Sequence, residues 1–446
     1  MPLRSWLSGS RVPRYLACVA AGIAIGLIAA SLTASPAASS GGRLDRGAPA
    51  ASASPGRATP RAGTQAARAA WVATWAASPM AATDSPRATR GFGNQTLREI
   101  IYTSAGGDAL RVRLSNLFGT RPLVIGRASV GTVLDGSQLV PGSGRPLTFA
   151  GGPAVTIPAG AAVTSDPLGE TVMPLTELAI SLYLPGPTGP ATNHLDAWQT
   201  SFAAAGDQVA DVQGTSFRQH ETSWYFATEV DVRSATADGT IVAFGDSITD
   251  GIGSEPGADD RWPNDLARRL DAVLGNHAPG VVDEGIGGNR VLGDSRCFGP
   301  SALARFERDA LSEPGVRAVI VLEGINDIGY AMDPVNRCTI PADKPMTAAQ
   351  IEAGYLRLIA LAHARGVRVY LGTLTPAPAR EPLRSQVNRW ILASRAADGV
   401  IDFAAATSAP GDPLDYDPAY NSGDNLHPND LGYDAMANAI PLSWVR

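Results

Sequence analysis

Four separate stretches of this chain hold side chains that together could carry out acyl-transfer chemistry. Ser247 lies in IVAFGDSITDG, where an apolar run ends in Gly245-Asp246-Ser247. A serine hydroxyl is a weak nucleophile until a neighbouring base takes its proton. His427, in YNSGDNLHPND, suits that work because Asp424 stands three residues before it. An imidazole is poised for base work near neutrality, and an acceptor on its other nitrogen fixes its tautomer. Asn326, in LEGINDIG, carries a neutral amide that can donate to developing negative charge without itself becoming a base. The glycines of DEGIGGNR, Gly287 and Gly288, can turn a backbone N–H toward the same charge.

Each piece also has a plainer reading. Gly-Asp-Ser recurs at Gly293-Asp294-Ser295, and with 48 glycines in the chain the triplet by itself means little. No strand precedes Ser295, so it reads as a turn. The Gly285-to-Arg290 run is not a dinucleotide fingerprint, because Arg290 stands where the third glycine belongs. Asp327 is expected to be structural, bonding its own loop or a helix start. Of the five histidines, His363 is expected to pack within a helix, His277 follows a helix end, and His194 and His220 belong to the first half.

Position separates the four stretches from the background. After Ala237, short apolar runs alternate with helical segments: TIVAF, GVVDE, RAVIVLE, VRVYLGTL and GVIDF are the strands. Such strands imply a parallel sheet covered on both faces, a three-layer α/β domain over 238–446. Chemistry in such sheets gathers beyond the carboxyl ends of the strands, where the four stretches fall. Thr347 with Gln350 reads as a capping box opening a helix. Residues 71–235 instead alternate with period two, as in ALRVRLS, and predict an antiparallel β-sandwich. Gly106-Gly107 reads there as a hairpin turn.

The chain's 446 residues suffice for two domains, and its net charge of −6 argues against a nucleic-acid partner. Arg4, Arg11 and Arg14 precede an apolar run from Tyr15 to about Leu32, followed by small residues; 1–34 reads as an export signal or an uncleaved anchor. That segment is the one expected contact with a membrane. Residues 35–70, rich in Ala, Ser, Pro and Gly, read as a disordered spacer. Of three cysteines, Cys18 lies in the signal; Cys297 and Cys338 form an even pair in an exported chain and are expected to be disulfide-bonded. There is no His-Glu-x-x-His run and no clustered Cys/His set, so neither a metal nor a cofactor is expected.

From Gly239 to Arg446 the four stretches, in this order, resemble the blocks of the SGNH (GDSL-type) hydrolase superfamily. The resemblance implies Ser247 as nucleophile, His427 as general base and acid, and Asp424 as the residue orienting it. It assigns the oxyanion hole to the Ser247 N–H, the Gly288 N–H and the Asn326 amide, and it implies a carboxylic ester substrate, small or polymer-borne. WVATWAASP, at the start of the sandwich, is similar to the β-rich amino-terminal domain of some exported bacterial members. Acetylated carbohydrate and short-chain acyl esters are the expected substrates, with a lipase or phospholipase and an acyltransferase as alternatives. A reading of another class is a carbohydrate-binding surface protein, with Trp71, Trp75, Trp198 and Trp224 as stacking surfaces or as core. Arg261-Trp262-Pro263 and Asn289-Arg290 either shape the pocket or pack.

Overall fold

The central strands of the carboxy-terminal sheet are largely apolar because they are covered on both sides. Ile241, Val242, Ala243 and Phe244 are fully buried, as are Ala318, Val319 and Ile320. In the computed structural model the described residues are 69–83, 85–329 and 346–445. The expected signal, nearly all of the spacer, and Cys18 and Cys338 lie outside them. The five strands run parallel in the order Gly280–Gly285, Thr240–Gly245, Val316–Leu322, Arg368–Gly372 and Gly399–Ile401. Helices Trp262–Leu274 and Asp430–Asn438 pack together, as do Ala302–Asp309, Ala348–His363 and Leu383–Ala393. The Thr347–Gln350 capping box opens the helix Ala348–His363. Phe244, like any fully buried phenylalanine, contributes on the order of 1.5–3 kcal/mol, and it meets Phe306 edge-on at 5.1 Å.

The amino-terminal part has two antiparallel sheets. One orders Ala70–Ala76, Ala227–Ser234, Ala109–Ser115 and Ala162–Thr164; the other is built around Gln95–Tyr102 and Glu177–Leu184. Their facing sides bury Val72, Leu97, Ile101, Val112, Ile180, Trp224 and Val232. Gly106-Gly107 does not turn a hairpin: Gln95–Tyr102 and Ala109–Ser115 belong to different sheets. The segment between them crosses from one layer to the other. It is anchored by hydrogen bonds from Ser104 N–H to Thr74 O (3.0 Å) and from Gly107 N–H to Val172 O (3.0 Å).

The described residues fall within one compact unit, so the two parts share an interface. The strand Ala70–Ala76 lies against the edge strand Gly280–Gly285. Gly280 is required there, because a Cβ on it would stand 2.0 Å from the Ala73 carbonyl oxygen. Ala73 N–H donates to Thr240 Oγ1 (3.0 Å), and Val281 N–H donates to Ser104 Oγ (2.9 Å). An edge strand presents unpaired backbone groups, and covering it is a standard protection against mispairing. Among the described residues no helix is long and apolar enough to cross a membrane.

Candidate active site

The first strand of the parallel sheet ends in a turn that leaves no room for a side chain at Gly245. A Cβ there would lie 2.2 Å from Leu322 O and 2.3 Å from Thr249 Oγ1. Ser247 follows as the first residue of the short helix Ser247–Asp250, capped by Asp246, whose carboxylate accepts from Ile248 N–H at 3.0 Å. A residue at that position has a backbone N–H without an intrahelical acceptor, so Ser247 presents both its hydroxyl and a free donor. Gly245 O is itself held by Ile286 N–H at 3.0 Å and by Arg305 Nη2 at 2.7 Å.

His427 arrives from the loop before the helix Asp430–Asn438. Asp424 organises that loop: its Oδ1 accepts from Leu426 N–H (2.9 Å) and His427 N–H (2.8 Å). Its Oδ2 stands 2.6 Å from His427 Nδ1, and His427 Nε2 stands 2.9 Å from Ser247 Oγ. A carboxylate can only accept, so Nδ1 carries the proton and Nε2 is left to accept from the serine. Burial pushes the Asp424 carboxyl up, but the hydrogen bonds from His427 outweigh it and hold the group below the ordinary aspartate range.

The oxyanion candidates converge from the next two loops. Gly288 has φ +77° and Gly287 donates its N–H to Asp250 Oδ2 at 2.8 Å. The two adjacent glycines are thereby distinguished, since Gly287 is already engaged. Asn326 starts the helix Ile325–Gly329 with its neighbours and donates from Nδ2 to Asn289 O at 3.0 Å, leaving a second amide hydrogen. Asp327 ties the neighbouring loop rather than its own, accepting from Val291 N–H (2.7 Å) and Leu292 N–H (3.1 Å). Burial raises its pKa to about 6 against those bonds.

Residues 243–435 match the model of the GDSL-like lipase/acylhydrolase family. Over those residues the chain is a member of the GDSL-like lipase/acylhydrolase family. It is a carboxylic ester hydrolase. No curated protein matches this hydrolase in sequence. Among solved structures it is similar to a lipolytic protein of the G-D-S-L family from Desulfitobacterium hafniense, at 20% identity and TM-score 0.35, covering 46% of this chain and 99% of that one. It is also similar to an acetyl xylan esterase from Geobacillus stearothermophilus, at 23% identity and TM-score 0.36, covering 46% of this chain and 93% of that one.

The other residues singled out in the sequence fall into place around this hydrolase site, His363 otherwise than expected. Ser295 is in a turn, its Oγ accepting from Cys297 N–H and Phe298 N–H, both at 3.2 Å. Cys297 is buried, and its expected partner Cys338 lies outside the described residues. His363 does not pack within its helix: it ends the helix, exposed, and pairs with Asp398 at 2.8 Å. The helical period placed it on the helix but not at the last residue. Trp262 is core, against Phe403, and Asn289 Nδ2 binds Phe298 O and Pro300 O, both at 2.8 Å. Trp75 and Trp224 are core too, meeting edge-on at 5.0 Å, and Trp71 lies under Arg111; Trp198 is half-buried and lines a cavity of about 200 Å³. Sequence reasoning missed Arg305 and His194. Arg305 is fully buried beneath the turn, donating to Glu284 O (2.8 Å), Asn289 Oδ1 (2.9 Å) and Ser78 Oγ (2.9 Å). Ser78 in turn donates to the Glu284 carboxylate. The one signal in the sequence was the Arg itself, on the apolar side of its helix.

Proposed function

We propose that the hydrolase works through an acyl-enzyme on Ser247. The observation that carries this is the continuous run of hydrogen bonds from Asp424 through His427 to Ser247 Oγ. His427 Nε2 takes the Ser247 proton as Oγ bonds to the ester carbonyl carbon, and the carbonyl π electrons move onto its oxygen. That oxyanion accepts from the Ser247 N–H, the Gly288 N–H and the Asn326 amide. Its collapse expels the alcohol, which takes the proton from His427, and water repeats the sequence to release the acid. Asp424 keeps Nδ1 protonated and stabilises the imidazolium while it exists.

The substrate reading is a short acyl group on a hydroxyl-rich alcohol. A cavity of about 460 Å³ opens beside Asp424, lined by Ala377, Pro378, Arg380, Asp415 and Asn425 among others, and its charged and amide groups suit hydroxyls better than a long acyl chain. Export is part of this reading, supported by the arginines ahead of the Tyr15–Leu32 apolar run, as is a Cys297–Cys338 disulfide. A chain-length series of p-nitrophenyl esters, run beside acetylated polysaccharides, tests it. Highest kcat/KM on the acetyl ester with acetate release from the polymers is expected; an optimum on long chains overturns the substrate reading.

A further inference from the structure

His194 belongs to the β-rich part, yet it is buried against the nucleophile helix. Its Nε2 stands 3.0 Å from Asp250 Oδ1 and its Nδ1 stands 3.0 Å from the Ser78 carbonyl oxygen. The other oxygen of Asp250 accepts the Gly287 N–H at 2.8 Å, one residue before Gly288. A chain of three contacts therefore links the β-rich part to the loop at the active site. We infer that His194 is a positioning residue, which holds Asp250 and through it the backbone of the oxyanion loop, and that it does so as the doubly protonated imidazolium. This rests on the acyl-enzyme reading, with Gly288 as a donor to the oxyanion.

The protonation state follows from the partners. A carbonyl oxygen and a carboxylate both accept, so each ring nitrogen of His194 needs its own hydrogen. Loss of one proton leaves two lone pairs facing each other in a dry site, an arrangement that costs far more than a missing bond in water. The surrounding groups agree. Burial pushes His194 down, but Asp250, the Ser78 carbonyl and Asp283 at the end of the edge strand more than offset it, and its pKa rises to about 8. Asp196, on the same segment as His194, is raised to about 6 by burial and Asp250, so it ionises before His194 loses its proton. Two cations stand nearby: Arg261 lies 5.8 Å from the centroid of the Trp224 ring, which itself lies 5.5 Å from the His194 ring, and Arg305 donates to Ser78 Oγ at 2.9 Å. Tyr433, raised by burial and by Asp250 among others, stays neutral through this range.

A histidine raised on folding keeps its contribution below the ordinary histidine pKa and loses it as pH rises through the folded value. The catalytic histidine has the opposite requirement, because it must be neutral to act as base. The two histidines thus bound activity from opposite sides.

The test is kcat and KM on p-nitrophenyl acetate from pH 5 to 10 for the full chain, His194→Gln and Ser247→Ala, with circular dichroism to verify folding. Glutamine can donate to Asp250 but stays neutral. The wild type is expected to lose activity with a midpoint near 8. His194→Gln should lack that alkaline limb, and its kcat at neutral pH should fall about 10- to 100-fold, as for a misplaced oxyanion donor, with KM changed less than about threefold. An alkaline limb that survives the substitution, or a kcat within about twofold of wild type, overturns the proposal. If His194→Gln does not fold, the titration of His194 read by NMR in the Ser247→Ala protein decides: a midpoint near 8 supports it, and a neutral ring at pH 7 overturns it. Activity that survives Ser247→Ala refutes the acyl-enzyme reading instead, and the NMR titration then still tests the state of His194.

Discussion

His427 Nε2 and Ser247 Oγ stand 2.9 Å apart although 180 residues separate them in the chain. Two independent local devices create that distance: the glycine-tight turn that projects Ser247, and the Asp424 carboxylate that knits the loop carrying His427. Neither device depends on the serine hydroxyl for its own stability. Ser247→Ala should therefore leave the melting temperature unchanged while kcat on p-nitrophenyl acetate falls at least about 10⁴-fold. Parallel melts and assays check both halves.

Asp424→Asn keeps the shape of the loop but offers an amide where a carboxylate stood. The imidazole then has no reason to keep its proton on Nδ1, and kcat should fall about 10⁴-fold, as when a triad aspartate is replaced elsewhere. In the wild type Asp424 is held below the ordinary aspartate range, so it remains ionised as the medium turns acid. The acid limb of the pH–rate profile should accordingly come from protonation of the base and not of Asp424, and kcat/KM should fall toward acid pH separately from the alkaline loss near 8 expected of His194.

Asn326→Ala removes a donor that matters most once charge has developed on the substrate oxygen. The expected change is a fall in kcat of about 10²- to 10³-fold with KM nearly constant. A rise in KM at constant kcat would instead make Asn326 a ground-state binding residue.

These residues were legible because their signals are local. A glycine turn after an apolar strand, an acid three residues before a histidine and an amide at a strand end can each be read within a dozen residues. Pairing between strands cannot: the alternation around Gly106-Gly107 marked two strands correctly, but nothing nearby revealed that they enter different sheets. That the Gly287 N–H is engaged by Asp250 could not be read locally either, because Asp250 lies 37 residues away. His194 was hidden for the same reason, since its partner lies in the other part of the molecule.

Arg305 holds the buried polar layer under the nucleophile turn, where Glu284 and Glu323 are both pushed well above the ordinary glutamate range by burial. Arg305→Met takes away a buried cation that pairs with Asp309 and leaves the Gly245 and Glu284 carbonyls short of a donor. A loss of about 3–5 kcal/mol in denaturant unfolding is expected. Unchanged stability would mean that the carboxyls are neutral and satisfied without it.

Gly280→Ala puts a methyl group against the Ala73 carbonyl, which has nowhere to move without parting the two strands. We expect about 1–3 kcal/mol of destabilisation and a lowered melting temperature. A thermal melt of the substituted protein checks it.

The shared interface also sets an order of events at the ribosome. Ser78 waits for Glu284, which lies 206 residues further along. At roughly 5–20 residues per second, that is a delay of about 10–40 s. Throughout that interval the first strand has left the exit tunnel without the neighbour that will cover one side of it. The first described strand of this enzyme is thus completed only by the second half of the chain, so the nascent chain carries an uncovered face that the finished protein does not.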